Sequence, residues 1–337
     1  MNSFERLLST VQFRKPDRQL VIAPVFGHAA VLSNIDLSDY VQTGELLAEC
    51  QLNALERYQN DAVFAVMDAN VETEAAGSIL EYRSNMYPMI KHHVLEDIGS
   101  FNKLIIPDPY SAGRMPEQLQ AVKRLRQELG NDVAVIGCVL GPMSLTGQLL
   151  GLEKALFLAV DEPEIFESIM DYATKVIIGF GCAQLNAGAH FIMIFEPTGS
   201  PAVIPPGFFR ELLVPRLKQI FQSYTTIGSV ANYLHIVGPI KPILPYFKEA
   251  GVNLANFDYY VGPEEIKSLL PDICLCGNIK SGLFLNSDPA EVKQTAKILV
   301  DAFEERRGFI LSAGCEIPPE ANPKSIEVLA EIARKGW

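Results

Sequence analysis

The sequence predicts a closed parallel (β/α)8 TIM barrel, one domain over residues 1–337, with an insertion over the barrel mouth. Three observations lead there. Eight short runs rich in β-branched and aromatic residues recur along the chain, too continuously apolar for a sheet with one face in water. Amphipathic helical patterns lie between most of them, and such alternation closes into a barrel. The segment after the first run, VFGHAAVLSN, lacks the G-x-G-x-x-G loop expected of a nucleotide-binding doubly wound sheet, which is the alternative architecture.

The predicted strands are Val21–Gly27, Ala62–Asp68, Val133–Leu140, Phe191–Glu196, Asn232–Val237, Leu254–Tyr259, Ile273–Asn278 and Phe309–Gly314. The helical patterns are Gly44–Tyr58, Pro116–Leu129, Pro163–Asn186, Pro206–Ser223, Lys241–Ala250, Pro263–Leu270, Pro289–Glu305 and Pro323–Lys335. Several open on proline, which suits a first helical turn whose N–H has no partner anyway. From about Asn70 to Met115 the pattern is irregular. This stretch reads as the insertion, with a short hairpin within GSILEYRSNMYPMIKHHVL.

Composition narrows the function classes. The net charge of −12 repels phosphate backbones and anionic lipid, so neither nucleic acid nor a membrane surface is an expected partner. No apolar run approaches the roughly 18 residues that span a bilayer. The opening MNSFERLLSTVQFRKPDR carries charges where a secretory leader needs apolar residues, so the expected location is the cytoplasm. Six cysteines in 337 residues do not make a disulfide framework. Cys50, Cys138 and Cys182 read as small core residues, whereas Cys274, Cys276 and Cys315 lie at predicted strand ends.

In a barrel of this kind the strand C-termini and the loops after them build the site. Asp68, Glu196, His235, Asp258, Asn278 and Cys315 all fall there, which brings carboxylates, an imidazole, a carboxamide and a thiol to one end. His235, in YLHIVG, is either a hydrogen-bonded core residue or a ligand; Cys315, in LSAGCEIPPE, is either an inert buried thiol or its partner. Cys274 and Cys276 share one face of their strand, outside the C-x-x-C spacing of a zinc knuckle, and Cys276 is the better placed as a ligand. His28 follows the first strand and reads as lining the mouth. Glu72 and Glu74, in NVETEAAG, read as a solvated helical turn, His92 and His93 as exposed, and His190 as structural.

The segments GPMSLTGQLLG, DEPEIFESIMDYAT, LNAGAHFIMIFEPTGSPAVIPPGFF, LHIVGPIKPILPYFKEAGV, CGNI and ILSAGCEIPPEANP resemble, in order and spacing, the uroporphyrinogen decarboxylase superfamily. The likeness runs from about Phe4 to Gly336 and implies the same barrel. Decarboxylases of that superfamily carry an arginine-rich motif after the first strand that grips porphyrinogen carboxylates; here that segment has no arginine. DANVETEAAGSILEY is instead similar to the corrinoid-dependent methyltransferase branch, whose zinc site is H-x-C on one strand plus a distal cysteine. His235 matches the histidine and Cys315 the distal cysteine, but Val237 stands at the middle ligand.

The resemblance therefore implies methyl transfer between a methylcorrinoid on a partner corrinoid-binding protein and a small acceptor such as a thiol. Zinc would be held by His235 and Cys315 with Cys276 or Glu196 as a third ligand, and Asp68, Asp258, Asn278 and His28 would bind substrate. The rivals are a decarboxylase in which Asp68 stabilises charge on a pyrrole, and a non-catalytic tetrapyrrole- or corrinoid-binding subunit. Without arginines after the first strand, purified protein given uroporphyrinogen is expected to form no coproporphyrinogen; chromatography of the oxidised products reads this directly, and a coproporphyrin peak reverses the branch.

Overall fold

The computed structural model describes residues 1–286 and 288–334. Ten strands run in chain order: β1 (Leu20–Val21), β2 (Ala62–Ala65), β3 (Ile79–Glu81), β4 (Met89–His92), β5 (Ala134–Leu140), β6 (Phe191–Phe195), β7 (Asn232–His235), β8 (Leu254–Phe257), β9 (Cys274–Ile279) and β10 (Phe309–Ala313). Eight of them form one parallel sheet ordered β1-β10-β9-β8-β7-β6-β5-β2, and β3 and β4 form the antiparallel hairpin of the insertion. All eight predicted barrel strands are present. The sheet is a nearly closed (β/α)8 barrel.

Alternate strand residues point inward and pack the interior. Leu20, Phe64, Ile136, Phe191, Leu254 and Ile310 fill its lower part, and a cavity lies above them, at the C-terminal end. Parallel register sets what lines that end. Cys138 pairs with Met193 across β5 and β6, and Phe195 with His235 across β6 and β7.

Closure between β1 and β2 rests on a side chain. The Asp61 N–H donates to the Val21 carbonyl (2.9 Å), and its carboxylate accepts the Val21 N–H (3.0 Å). Arg6 and Arg18 donate to the same buried carboxylate at 2.7 Å, as does the Ser3 hydroxyl. One acid thus joins both edges and anchors the Ser3–Val11 helix, an element the periodicity reading omitted.

The departures from the expected elements have local causes. The first strand was expected to reach Gly27, but Pro24 has no N–H for the ladder, and a helix begins at Phe26 (Phe26–Leu32). Pro206–Ser223 was read as one helix. It opens as Pro206–Phe208, widens to a π-helix at Phe209–Leu213 and continues as Val214–Ile227, with Pro215 at the break. Lys241–Tyr246 is 3-10 rather than α, with Pro245 inside it. Two helices missed by the pattern, Pro142–Leu150 and Leu152–Asp161, precede the long Pro163–Ala187 helix. The last helix spans Pro323–Arg334; its expected end at Lys335 lies outside the described residues. Among the described residues no single helix is long and apolar enough to cross a membrane.

The insertion lies across the mouth. The Leu95 N–H donates to the Leu149 carbonyl (2.9 Å), His93 Nδ1 contacts the Gln148 carbonyl oxygen (2.6 Å), and the Asn70 side chain donates to the Pro88 carbonyl (2.7 Å). Removing one partner from a buried ion network costs about 3–5 kcal/mol, whereas exposed pairs are worth about 0–1 kcal/mol. Asp61→Asn is therefore expected to lose several kcal/mol in urea unfolding. Asp17→Asn, which touches Arg6 from the solvent side, is expected to lose under about 1 kcal/mol.

Candidate active site

A cavity of about 160 Å³ opens at the C-terminal end of the barrel. An apolar protein cavity of roughly 150 Å³ holds one benzene, so the space suits one small molecule. Phe26, Val66, Leu140, Met193 and Phe195 give it an apolar wall, and Asp68, Glu72, His235, Cys315 and Glu316 its polar one.

His235 is the last residue of β7 and only 2% exposed, and among the described residues neither of its ring nitrogens has a hydrogen-bond partner. Phe195 stands edge-on to it at 5.2 Å. Burial lowers its pKa to about 3, so the ring is neutral. A buried polar group left unpaired costs about 1–3 kcal/mol, and such a group on a cavity wall is satisfied most simply by what the cavity binds.

The carboxylates differ in their partners. Asp68 follows β2 and is paired with Arg114, which also donates to Glu74 (2.7 Å) and to the Val41 carbonyl (2.8 Å). Desolvation still holds Asp68 above the usual range, with Arg114 opposing it. Glu72 lies on the Val71–Ala75 helix and accepts the Leu140 N–H (2.8 Å). Burial raises its pKa to about 7, the Leu140 N–H working against that rise. Glu316 accepts the Tyr87 hydroxyl and the Gly27 N–H (3.2 Å), and burial raises it too. Cys315, beside it, is pushed up to about 11 by burial and stays a thiol.

Of the residues expected at the site, Asp68, His235 and Cys315 share this cavity, and the others do not line it. Glu196 sits under the Pro142–Leu150 helix, where its carboxylate accepts the Met143 (2.9 Å) and Ser144 (2.8 Å) N–H groups and the Ser144 hydroxyl. An anion at a helix N-terminus is well placed, and Gly141 leaves room for it, since a Cβ there would meet the carboxylate at 2.2 Å. Cys276 is buried in the barrel interior beside Tyr233 and Ser312, its thiol pushed up to about 11 by burial. Asp258 accepts the Gly238 (3.0 Å) and Tyr259 (2.7 Å) N–H groups, and the Asn278 carboxamide donates to the Val261 carbonyl (2.9 Å); both shape loops. His28 turns away to the Tyr58 hydroxyl (2.7 Å) and the Pro319 carbonyl (2.8 Å).

The expected zinc does not fit this donor set. A catalytic zinc takes three protein ligands. Glu196 and Cys276 are engaged elsewhere, and among the described residues no three His, Cys, Asp or Glu side chains stand together as a metal site.

Several wall residues, Asn70 and Gln118 among them, have no site role in the sequence reading. Glu72 was read as solvated but is buried; Cys138 was read as core; Tyr87 and Glu316 were not considered. Burial of Val71, Glu72 and Thr73 in succession is a tertiary effect, since the short helix packs on the Met115–Leu129 and Pro142–Leu150 helices. Glu316 had a signal, its place directly after Cys315. His190 is structural as expected, its Nδ1 accepting the Val135 N–H (2.9 Å).

The (β/α)8 barrel thus gathers carboxylates, a neutral imidazole and a thiol around one small pocket at its C-terminal end. The model of the family described as uroporphyrinogen decarboxylase (URO-D) matches residues 2–336, and the chain belongs to that family. It is 29% identical over 225 residues to a methylcobamide:CoM methyltransferase MtaA of Methanosarcina barkeri, covering 66% of this chain and 64% of that protein. A uroporphyrinogen decarboxylase of Trichlorobacter lovleyi is 23% identical over 318 residues, 91% of this chain and 90% of that one. The chain spans just under two thirds of the first curated relatives it matches, 64% and 65%. A solved methyltransferase from Methanosarcina mazei shares the fold with a TM-score of 0.91 at 23% identity, covering 99% of both chains.

An acid whose folded pKa lies above its unfolded value stabilises the fold below the unfolded value and loses that contribution as pH rises through the folded one. For Glu72 the window runs from about 4.5 to about 7. Glu72→Gln is thus expected to raise stability at pH 8 by on the order of 1–3 kcal/mol and to change it little at pH 4. Urea titrations at the two pH values check this.

Proposed function

We propose that this chain transfers a methyl group between the corrinoid of a partner protein and one small molecule held in the barrel cavity. The observation that carries the reading is the cavity itself. It fits a single small molecule, and among the described residues its wall has a hydrogen-bonding imidazole with no protein partner and no arginine to grip a polycarboxylate. Its likeness to the Methanosarcina methyltransferases supports the same reading.

The chemistry asks little of the protein beyond placement. A methyl group moves between cobalt and a heteroatom in line, and the heteroatom needs a free electron pair when it accepts. His235 gives the bound molecule its hydrogen bond, and the apolar wall excludes water. Glu72, ionising near neutrality, is the group that takes a proton from an acceptor or returns one. Cys315 and Met193 border the molecule as soft, uncharged surface.

The test is anaerobic transfer between free methylcobalamin, or cob(I)alamin, and a panel of small thiols, amines and their methylated forms, followed through the corrinoid spectrum. Glu72→Gln is expected to lower kcat/KM by about 10²–10⁴, the range of one general acid–base group, and His235→Ala by about tenfold, the loss of one hydrogen bond. Cys274→Ala, at the floor of the barrel, is expected to leave it nearly unchanged. Dialysis against a chelator should not slow turnover. No transfer with any member of the panel removes the reading.

A further inference from the structure

The charge of the cavity says more about its occupant than its size does. Asp68, Glu72 and Glu316 face it, and among the described residues no lysine or arginine lines it. Arg114, the guanidinium paired with Asp68, is already shared among Asp68, Glu74 and the Val41 carbonyl. Glu72 is held by a backbone N–H, and Glu316 by a backbone N–H and the Tyr87 hydroxyl. Neither makes an ion pair among the described residues.

Acidic residues alone do not make a site. The second observation is His235, 2% exposed, on the same wall, with both ring nitrogens unpartnered among the described residues. It adds a hydrogen-bonding group and no positive charge. The rings of Phe26, Tyr87 and Phe195 complete the wall, and aromatic faces attract quaternary ammonium groups. An anionic ligand would meet carboxylates with no free counter-charge in a medium where charges are poorly screened.

We infer that the cavity takes a small organic cation, an alkylammonium that packs on the aromatic rings with Glu72 and Glu316 as its counter-charge. Burial raises both acids, as it does any carboxylate without a cationic partner, and a bound cation relieves that cost. The inference deepens the proposed methyl transfer by naming the class of molecule whose methyl group moves. In that setting the N–CH3 bond breaks with its electron pair left on nitrogen, which becomes a neutral amine. A Co(I) corrinoid on the partner protein supplies the pair for the new Co–CH3 bond and becomes methyl–Co(III). The product has lost the charge that held it and leaves.

The test is calorimetric titration of the full chain at neutral pH, without corrinoid, with choline, its uncharged isostere 3,3-dimethyl-1-butanol, and 2-mercaptoethanesulfonate. Choline is expected to bind at least about tenfold tighter than the alcohol and to release protons, seen as heat that varies with buffer. The sulfonate should bind weakest. Glu72→Gln and Glu316→Gln should each weaken choline several-fold and leave the alcohol unchanged. Equal affinity for the two isosteres, or tighter binding of the sulfonate, overturns the inference. Because no corrinoid is present, choline binding without methyl transfer would retain the inference and remove the proposed function. Transfer from an uncharged or anionic molecule, with no preference for choline, would do the reverse.

Discussion

A sheet of eight parallel strands encloses a cavity only when its two edge strands are joined, and here β1 and β2 share no ladder. Asp61 substitutes for it, bonding Val21 through both its backbone and its carboxylate while two arginines neutralise the charge. The wall draws on residues after β1 (Phe26), after β2 (Asp68, Glu72), on β5 to β7 and after β10 (Cys315, Glu316). Those residues meet only because the sheet curves round to bring its edges together. A carboxylate at the opposite end of the strands therefore sets the distances among groups it never touches.

How much of this was legible depends on how local each signal was. The barrel strands were readable because burial on both faces leaves an uninterrupted apolar run. Their C-terminal ends were less so, since β2, β7 and β8 stop at Ala65, His235 and Phe257, short of Asp68, Val237 and Tyr259, and Pro24 cuts the first strand to Leu20–Val21. His235 was readable because an imidazole near the end of an apolar strand is conspicuous. Glu196 carries the same local signal, a polar residue at a strand end, yet its partners are amides more than fifty residues earlier, at Met143 and Ser144. No pattern within β6 distinguishes the two cases. Glu72 fails in the other direction. VETEA has the look of a solvated turn, but the Val71–Ala75 helix packs on the Met115–Leu129 and Pro142–Leu150 helices and Glu72 reaches the Leu140 N–H, contacts with residues far along the chain.

The polar groups at the strand ends limit what this cavity can hold. Valine stands at position 237, His235 has no hydrogen-bond partner among the described residues, and the charged residues lining the wall are carboxylates. Each of these features lowers the affinity expected for a metal or a polyanion and leaves the apolar volume in place.

Glu316 joins three segments of the mouth, accepting from Gly27 on the helix after β1 and from Tyr87 on the insertion while itself following β10. Any widening of the mouth between those segments has to break one of these hydrogen bonds first. The dwell time of a molecule inside is then governed partly by the lifetime of a tyrosine–carboxylate pair and not by its own affinity alone. Two ligands of equal affinity would share a slow step that belongs to the protein, and their escape rates would rise together if that pair were lost.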